Sequence, residues 1–505
     1  MNSPSTISRS LAGLVEGLAE LPRDVTVTDL TQDGRGARPG SAFLAVHGSV
    51  EHGLRYAPQA VANGARAVLF EPAPVAVVPE LPSDIVVAPV ERLRERASLI
   101  ADRFFDAPSQ HLSVAGITGT NGKTTCAYLL AQALEISGRA AAYMGTIGTG
   151  RPGALAASAL TTGDAVTVQR TLAALRAAGA ANVAMEVSSH AIDQARVGAV
   201  RFRTAAFTNL TRDHLDYHGT MEHYGATKAR LFSLPGLQSR IINVDDVFGR
   251  QLAMDPRGRG RLIVTSRGHQ TRVRSADGFV RAMHVELSTR GIGIEFDSSW
   301  GPGEINCALV GDFNVDNLLT VVAILLDWGL ATEDATRALA RVQATPGRMQ
   351  TFGGGSAPLA VVDYAHTPDA LAKALQSARA HCAGRLAVVF GCGGDRDQGK
   401  RPLMGSIAAE LADDIVLTDD NPRTESPQAI VAGIAAGIPA GKPFRVEHDR
   451  ERAIRQALGG AGERDVVVIA GKGHEDYQIV GGDRRPFSDA RVVAAALAGR
   501  AGSEA

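Results

Sequence analysis

The scarcities in this 505-residue sequence narrow its chemistry before any motif is read. It has four cysteines, Cys126, Cys307, Cys382 and Cys392, with no CxxC pair and no metal-ligand spacing. That excludes a disulfide framework and a thiolate metal centre, and fits a reduced compartment with all four as small buried residues. Neither charge is in excess: Lys plus Arg total 52 against 53 Asp plus Glu, a formal net charge of -1. A nucleic-acid-binding surface or an acidic tail does not follow from that balance, so any anionic ligand must be held by local groups. No uncharged apolar run reaches the roughly 18 residues of a membrane span. The stretch from Leu11 to Leu21 has a helical apolar rhythm, but Glu16 and Glu20 interrupt it and no cationic leader precedes it. The expectation is a soluble, cytoplasmic protein with no membrane or nucleic-acid partner. Internal repeats and low-complexity linkers are also missing, which leaves the length to about three domains.

What is present is an α/β rhythm. From Phe43 an apolar run (FLAV), a helix-like stretch (YAPQAVANGA) and a second apolar run (ARAVLF) alternate, which sets residues 1–90 as a first small α/β domain. Residues 91–106 read as an amphipathic helix, and LSVAGIT as a buried strand that opens a second domain, 91–342. Its further strand candidates are NVAMEVSS, RTAAFTNL and RIINVD, followed by short antiparallel runs over 262–310 and a helix from Asn317 to Trp328. In the last domain, 343–505, LAVVDYA, RLAVVFG, DIVLTD and DVVVIAG form a doubly wound, Rossmann-like pattern. Each run ends in a polar cluster: HTPD, CGGDRD, DNPR or KGHED. Ligands of open parallel sheets sit beyond the carboxyl ends of the strands, so these clusters point to one crevice.

The segment Gly116-Ile-Thr-Gly-Thr-Asn-Gly-Lys-Thr-Thr125 lies between a strand and a helix, where free backbone N–H groups and the helix dipole cradle phosphates. Lys123 is placed to reach the β- and γ-phosphates and the Thr124 hydroxyl to ligate magnesium. Ile117 stands where the usual pattern has its first glycine, and Gly116 lies one residue early, so the loop is a variant. Two more clusters follow apolar runs. Glu186 with Ser188, Ser189 and His190 reads as a magnesium-holding set or an exposed loop. Asp213, His214, Asp216 and His218 read equally as a metal site or as turn chemistry.

Ten ordered segments together resemble the Mur ligase family, the cytoplasmic amino-acid-adding enzymes of peptidoglycan synthesis. They are GTNGKTT (119–125), TTG (161–163), MEVSSH (185–190), TNLTRDHLDYHG (208–219), GDFNVDN (311–317), GRM (347–349), DYAHTPDAL (363–371), FGCGGDRDQGKRPLM (390–404), DNPR (420–423) and GKGHEDYQ (471–478). Within the family the resemblance runs to members that add meso-2,6-diaminopimelate to UDP-N-acetylmuramoyl-L-alanyl-D-glutamate. It implies a UDP-precursor domain, a central ATPase and a C-terminal Rossmann-like domain for the amino acid. The implied ligase is ATP-dependent and monomeric, and uses Mg2+.

The resemblance also implies roles residue by residue. Gly119, Thr120, Asn121, Gly122, Lys123, Thr124 and Thr125, with Asn317, Arg348 and Asp363, would hold ATP. Thr124, Glu186 and His214 would hold magnesium, and Lys228 would carry a carbamate; from the residues alone Lys228 is a solvated helix lysine. Lys123, Lys228 and His214 form the implied catalytic set. Gln32, Gly34, Thr161, Thr162, Ser188, Gln194 and Arg196 would contact the UDP precursor. Arg396, Asp420, Asn421, Pro422, Arg423, Gly471 and Glu475 would contact diaminopimelate, with Arg423 as a buried fork reading its distal carboxylate. Relatives carry Asp-Ser-Arg where this chain has Asp33-Gly34-Arg35 and asparagine where it has Leu160, and HGSVEHG lacks polar residues beside the uracil. Altered contacts at the UDP end are therefore expected. The competing readings are a sister ligase adding lysine, a folate-glutamate ligase, and a non-catalytic nucleotide switch.

Overall fold

The computed structural model describes residues 7–48, 51–74, 76–158, 160–268 and 276–501; Ser49 and Val50 of the HGSVEHG stretch lie outside them. The chain packs as two compact units, one of Met1–Thr265 with Thr271–Phe279, the other of Ser266–Gln270 with Val280–Ala505. The structure is α/β, as the apolar rhythm predicts.

The first unit opens with four parallel strands in chain order: β1 (Asp29–Thr31), β2 (Ser41–Ala45), β3 (Ala67–Phe70) and β4 (Val86–Pro89). Alternate residues of a strand face opposite sides, and both sides are covered here. Ala42 and Leu44 of β2 join a core with Leu93, Ile100 and Phe104 of helix α1 (Leu93–Phe104), while Phe43 and Ala45 face Leu54, Ala57 and Ala60.

A second sheet follows in the same unit. Its elements are β5 (Ser113–Thr118), α2 (Lys123–Ile136), β6 (Ala141–Gly145), β7 (Gly148–Arg151), β8 (Ala154–Ala156), α3 (Ala165–Ala177), β9 (Asn182–Glu186), α4 (Ser189–Asp193), β10 (Thr204–Phe207), α5 (Leu215–His218), α6 (Met221–Ala229), β11 (Ser239–Asn243) and β12 (Arg261–Ser266). The strand order is β8-β7-β6-β9-β5-β10-β11-β12, parallel from β6 to β12 and closed by an antiparallel hairpin. The crossovers put β9, β5 and β10 side by side, so the loops after all three open at one edge. Phe207, fully buried, packs its ring against Phe232 and Phe248. Its replacement by Ala costs ~3–5 kcal/mol and loosens β10, whose end bears the loop below.

The second unit begins with an antiparallel meander, β13 (Gly278–Ser288), β14 (Gly291–Ser298) and β15 (Gly303–Cys307), then α7 (Asn314–Asp327) and α8 (Thr332–Leu339). The antiparallel pairing expected over 262–310 holds from β13 on, whereas β12 at its start is parallel to β11; α8 was not expected, because its apolar face is only Ala335, Ala338 and Leu339. The remaining elements are β16 (Gln350–Gly353), β17 (Leu359–Asp363), α9 (Pro368–Arg379), β18 (Leu386–Phe390), α10 (Lys400–Leu411), β19 (Asp414–Leu417), α11 (Pro427–Ala435), β20 (Arg445–Val446), α12 (Arg450–Gly459), β21 (Val466–Ala470), β22 (Tyr477–Val480), β23 (Asp483–Pro486) and α13 (Asp489–Ala501). The sheet order β16-β17-β21-β18-β19-β20 has a parallel core, and its four long central strands are the four apolar runs. Buried His381 ties this sheet to the meander: Nε2 accepts from the Gly311 N–H at 3.0 Å and Nδ1 lies 2.9 Å from the Ser288 carbonyl.

Two local expectations are corrected. The N-terminal helix is a single turn, Leu11–Leu14, since Gly17 takes a left-handed φ of 71° soon after. Cys382 is partly exposed, unlike the three buried cysteines, because it follows the end of α9. Among the described residues no helix is long and apolar enough to cross a membrane.

Candidate active site

The loop between β5 and α2 is shaped by the loop after β10. Gly119 has φ 152°, and a Cβ there would lie 1.9 Å from the Thr208 hydroxyl, so only glycine fits. Asn209 receives the N–H groups of Thr120 (2.8 Å) and Asn121 (3.0 Å), and Thr211 gives its N–H to the Thr120 hydroxyl at 3.0 Å. The front half of TNLTRDHLDYHG is therefore a brace for the phosphate loop, a use that neither the metal nor the turn reading captured. Gly116 is corrected too. It lies inside β5, and a Cβ would meet the Phe202 ring at 2.6 Å, so its smallness serves packing, not phosphate.

Two ammonium groups converge on this loop. Lys123 Nζ donates to the carbonyls of Gly119 (2.9 Å) and Thr120 (2.8 Å), and Lys228 Nζ donates to the same Gly119 carbonyl at 2.9 Å. Lys228 is 1% exposed, against the solvated reading of a helix lysine, and its Nζ lies 4.4 Å from the Tyr224 ring centroid. Burial, then the neighbouring Lys123 charge, pushes the Lys228 amine down to about 6. Burial also lowers Lys123.

Glu186, at the end of β9, is fully buried. Its Oε2 accepts from the Thr124 hydroxyl at 2.8 Å, and its Oε1 accepts from the Thr146 N–H at 2.8 Å and from the Tyr143 hydroxyl. The structure thus joins Thr124 and Glu186, a hydroxyl and a carboxylate suited to a hard cation. His214 is about half exposed, and among the described residues no group of three or more His, Cys, Asp or Glu side chains is arranged for a metal. Its ring lies 5.0 Å from that of His190.

The precursor candidates after β9 also form a connected set. Arg196 directs Nε (3.1 Å) and Nη2 (2.7 Å) to Gln194 Oε1 and Nη1 to the Thr162 carbonyl at 2.8 Å. The Thr162 hydroxyl donates to the Glu186 carbonyl at 2.9 Å and accepts the Ser188 N–H at 3.2 Å; Ser188 caps α4. Thr161 accepts from the Thr146 hydroxyl at 3.0 Å, and Leu160 is exposed. Tyr217, which stood in TNLTRDHLDYHG but was assigned no role, receives Gln194 Nε2 at 3.1 Å and donates to Asp193 at 2.8 Å. Near β1, Gln32 keeps a buried Oε1 with no partner among the described residues. Gly34 would set a Cβ 2.9 Å from the Tyr56 carbonyl, so a serine is excluded unless Tyr56 moves.

In the second unit, buried Asn317 donates to Asn314 at 2.8 Å, and Arg348 is exposed. Asp363, at the end of β17, accepts from the N–H groups of Met349 (2.7 Å) and Ala365 (2.9 Å). Burial raises its carboxyl. Asp420, Asn421, Gly471 and Glu475 meet at the ends of β19 and β21. Asn421 Nδ2 donates to Glu475 at 2.9 Å, and a Cβ on Gly471 would lie 2.9 Å from Asp420. Arg423 is half-buried rather than buried, has φ 52°, and gives Nη1 to the Gly394 carbonyl at 2.8 Å. Pro422 is buried, its carbonyl pressed on Gly394, and Arg396 is exposed. Sequence reasoning assigned no role to Lys472, although it stood in the quoted GKGHEDYQ. Its fully buried ammonium contacts Asn421 (3.1 Å), Glu475 (3.1 Å) and Asp420 (3.4 Å).

Known proteins resemble this chain along most of its length. Residues 26–105 match the model described as Mur ligase family, catalytic domain, residues 117–325 the Mur ligase middle domain, and residues 347–473 the Mur ligase glutamate ligase domain. A UDP-N-acetylmuramoyl-L-alanyl-D-glutamate–2,6-diaminopimelate ligase of Pseudomonas aeruginosa is 48% identical over 94% of this chain and 96% of its own. The chain belongs to the Mur ligase family. A relative of the same name from Xanthomonas campestris pv. campestris is also 48% identical to this Mur ligase, over 95% of the chain and 96% of its own. A solved structure bearing that ligase name superposes with a TM-score of 0.75 at 33% identity, covering 98% of this chain and 99% of that one. A Mur ligase is an ATP-dependent enzyme, so the non-catalytic switch is set aside.

Proposed function

We propose that this Mur ligase joins meso-2,6-diaminopimelate to the D-glutamate γ-carboxylate of UDP-N-acetylmuramoyl-L-alanyl-D-glutamate while ATP becomes ADP and phosphate. The chemistry is supported above all by the pairing of Lys123 and Lys228 on the Gly119 carbonyl beside the Thr124–Glu186 contact. The choice of substrates rests on the relatives, whose names state them. Segments 1–90, 91–342 and 343–505 would serve the UDP precursor, ATP and the amino acid in turn.

A carboxylate resists an amine because its charge and resonance make it a poor electrophile. In the first step its oxygen attacks the γ-phosphorus, the bond to the β–γ bridging oxygen breaks, and ADP leaves. Lys123 neutralises charge on the transferring group, where positioned charge gives most of the rate. Mg2+, when bound, would sit on Thr124 and Glu186 and add positive charge to the phosphates. Gly119, Thr120, Asn121, Gly122 and Thr125 would supply the backbone cradle, and Asn317, Arg348 and Asp363 would hold the rest of ATP. In the second step the diaminopimelate amine attacks the acyl carbon, loses a proton, and phosphate departs from the tetrahedral intermediate.

Lys228 fits carbamylation because an amine near pKa 6 is neutral and nucleophilic at neutral pH. Carbon dioxide adds to its nitrogen, a proton is released, and a buried carboxylate results beside Lys123. Arg423, with Arg396, would read the distal carboxylate, and Glu475, Asp420 and Asn421 the distal ammonium. Lysine lacks that carboxylate, and unpaired arginine donors would weigh against it.

The test is an isotope transfer. With 18O in the precursor's γ-carboxylate, one label should appear in the released phosphate, and phosphate release should require both the precursor and the amino acid. Unlabelled phosphate, or release with ATP alone, would contradict the acyl phosphate.

A further inference from the structure

The chain has six lysines: Lys123, Lys228, Lys373, Lys400, Lys442 and Lys472. Every other cationic side chain of the Lys/Arg pair is arginine, so a fully buried lysine is a local requirement. Lys123 and Lys228 serve the phosphate loop. Lys472 lies elsewhere, between Gly471 and Gly473 at the end of β21, with 0% exposure.

Its ammonium has three acceptors, and they are the side chains that face the amino acid on the reading above: Asn421 Oδ1 at 3.1 Å, Glu475 Oε2 at 3.1 Å and Asp420 Oδ1 at 3.4 Å. The Tyr477 ring centroid is 5.6 Å away. Asn421 turns its amide to Glu475 at 2.9 Å and accepts from the Ile479 N–H at 2.9 Å, so its orientation is fixed from two sides. Behind Asp420, Arg450 and Asp489 form a fork at 2.7 and 2.8 Å with both side chains fully buried. Burial raises the Asp420 carboxyl, while the Arg450 and Lys472 charges oppose the rise. The cluster therefore holds Arg450 and Lys472 against Asp420, Glu475 and Asp489, one carboxylate in excess.

We propose that Lys472 is a positioning residue that sets this charge balance, so that the crevice accepts one further cation, the distal ammonium of the amino acid. The proposal rests on the diaminopimelate reading. Lys472 holds Glu475 and Asn421 in place, and its charge opposes the rise that burial imposes on the Asp420 carboxyl, without touching the reacting atoms.

Lys472→Gln and Lys472→Met should raise KM for diaminopimelate at least tenfold, leave KM for ATP and for the UDP precursor within twofold, and spare kcat at saturation. Lys472→Arg should recover part of the loss. An unchanged KM for diaminopimelate, or an equal rise in all three, overturns the proposal. A measurement on the native enzyme guards against variants that do not fold. With 15N at the lysine side chains only six Nζ signals are expected, and the buried Lys472 signal should shift on adding diaminopimelate but not ADP. A signal that stays put overturns the proposal. If wild-type enzyme makes no diaminopimelate adduct, the functional reading fails; if it does and Lys472 is silent, only this inference fails.

Discussion

The phosphate loop and the amino-acid crevice both bury lysine, and they treat it in opposite ways. Lys123 and Lys228 rest on backbone carbonyls, crowd each other, and have lowered pKa values. Lys472 is surrounded by carboxylates and an amide. In the first place Lys123 is the cation read as facing an anionic phosphate, and burial leaves Lys228 a neutral amine at neutral pH. The second holds excess negative charge, as an ammonium requires. Each local field is the complement of a ligand, and each costs stability while the ligand is absent.

The largest expected break is at the first region. Lys123→Met should lower kcat by about 10²–10³-fold, the usual effect of removing one preorganised donor from a transition state. Phosphate release at saturating substrates checks it, and a tenfold or smaller loss would remove Lys123 from the chemistry. Lys228→Met should also cost activity, and wild-type activity should fall in buffers stripped of carbon dioxide and return with bicarbonate.

The same variant sharpens the cost. Lys228 has a folded pKa of about 6 against 10.5 in the unfolded chain, so between those values the unfolded state binds the extra proton. Its penalty is absent above 10.5, grows as pH falls, and is complete below about 6. In buffer stripped of carbon dioxide, where Lys228 is the free amine, Lys228→Met should therefore melt higher than wild type near neutral pH, by ~2–4 °C for each ~1 kcal/mol recovered. The gain should shrink as pH rises towards 10. A lower melting temperature for the variant at pH 7 would contradict the burial cost.

In the second region Arg423→Ala should lower kcat/KM for diaminopimelate by ~10–100-fold, the value of a hydrogen bond to a charged group, and leave KM for ATP alone. Equal losses with lysine as substrate would show that Arg423 does not read the distal carboxylate. The smallest effect is expected at Tyr217→Phe. Loss of one hydroxyl from Gln194 and Asp193 should raise KM for the UDP precursor about threefold, with KM for diaminopimelate unchanged.

Much of this was legible in the sequence where one residue type permits one use. The apolar runs predicted the parallel strands, and GTNGKTT marked the loop that holds Lys123. Charge in a fold is less legible. Lys228 reads as a surface lysine because helix periodicity does not say which neighbours close over it. Lys472 was hidden in plain sight within GKGHED, since its partners Asp420 and Asn421 lie some 50 residues earlier, in the loop after β19, which the sheet order sets one strand away from β21. Gly116 misled for the converse reason: a glycine one residue out of register suggested a distorted loop, whereas the strand needs it for the Phe202 ring. Tyr217 stood inside TNLTRDHLDYHG without a role, because a bridging hydroxyl has no characteristic spacing.

The central claim is that this Mur ligase selects an amine that carries a carboxylate at its far end. The direct measurement is the mass of the product formed from ATP and UDP-N-acetylmuramoyl-L-alanyl-D-glutamate with an equimolar mixture of meso-2,6-diaminopimelate and L-lysine. A single diaminopimelate adduct, matched by stoichiometric ADP and phosphate, is the predicted result. A lysine adduct in comparable amount, or no adduct while ATP is consumed, would contradict it.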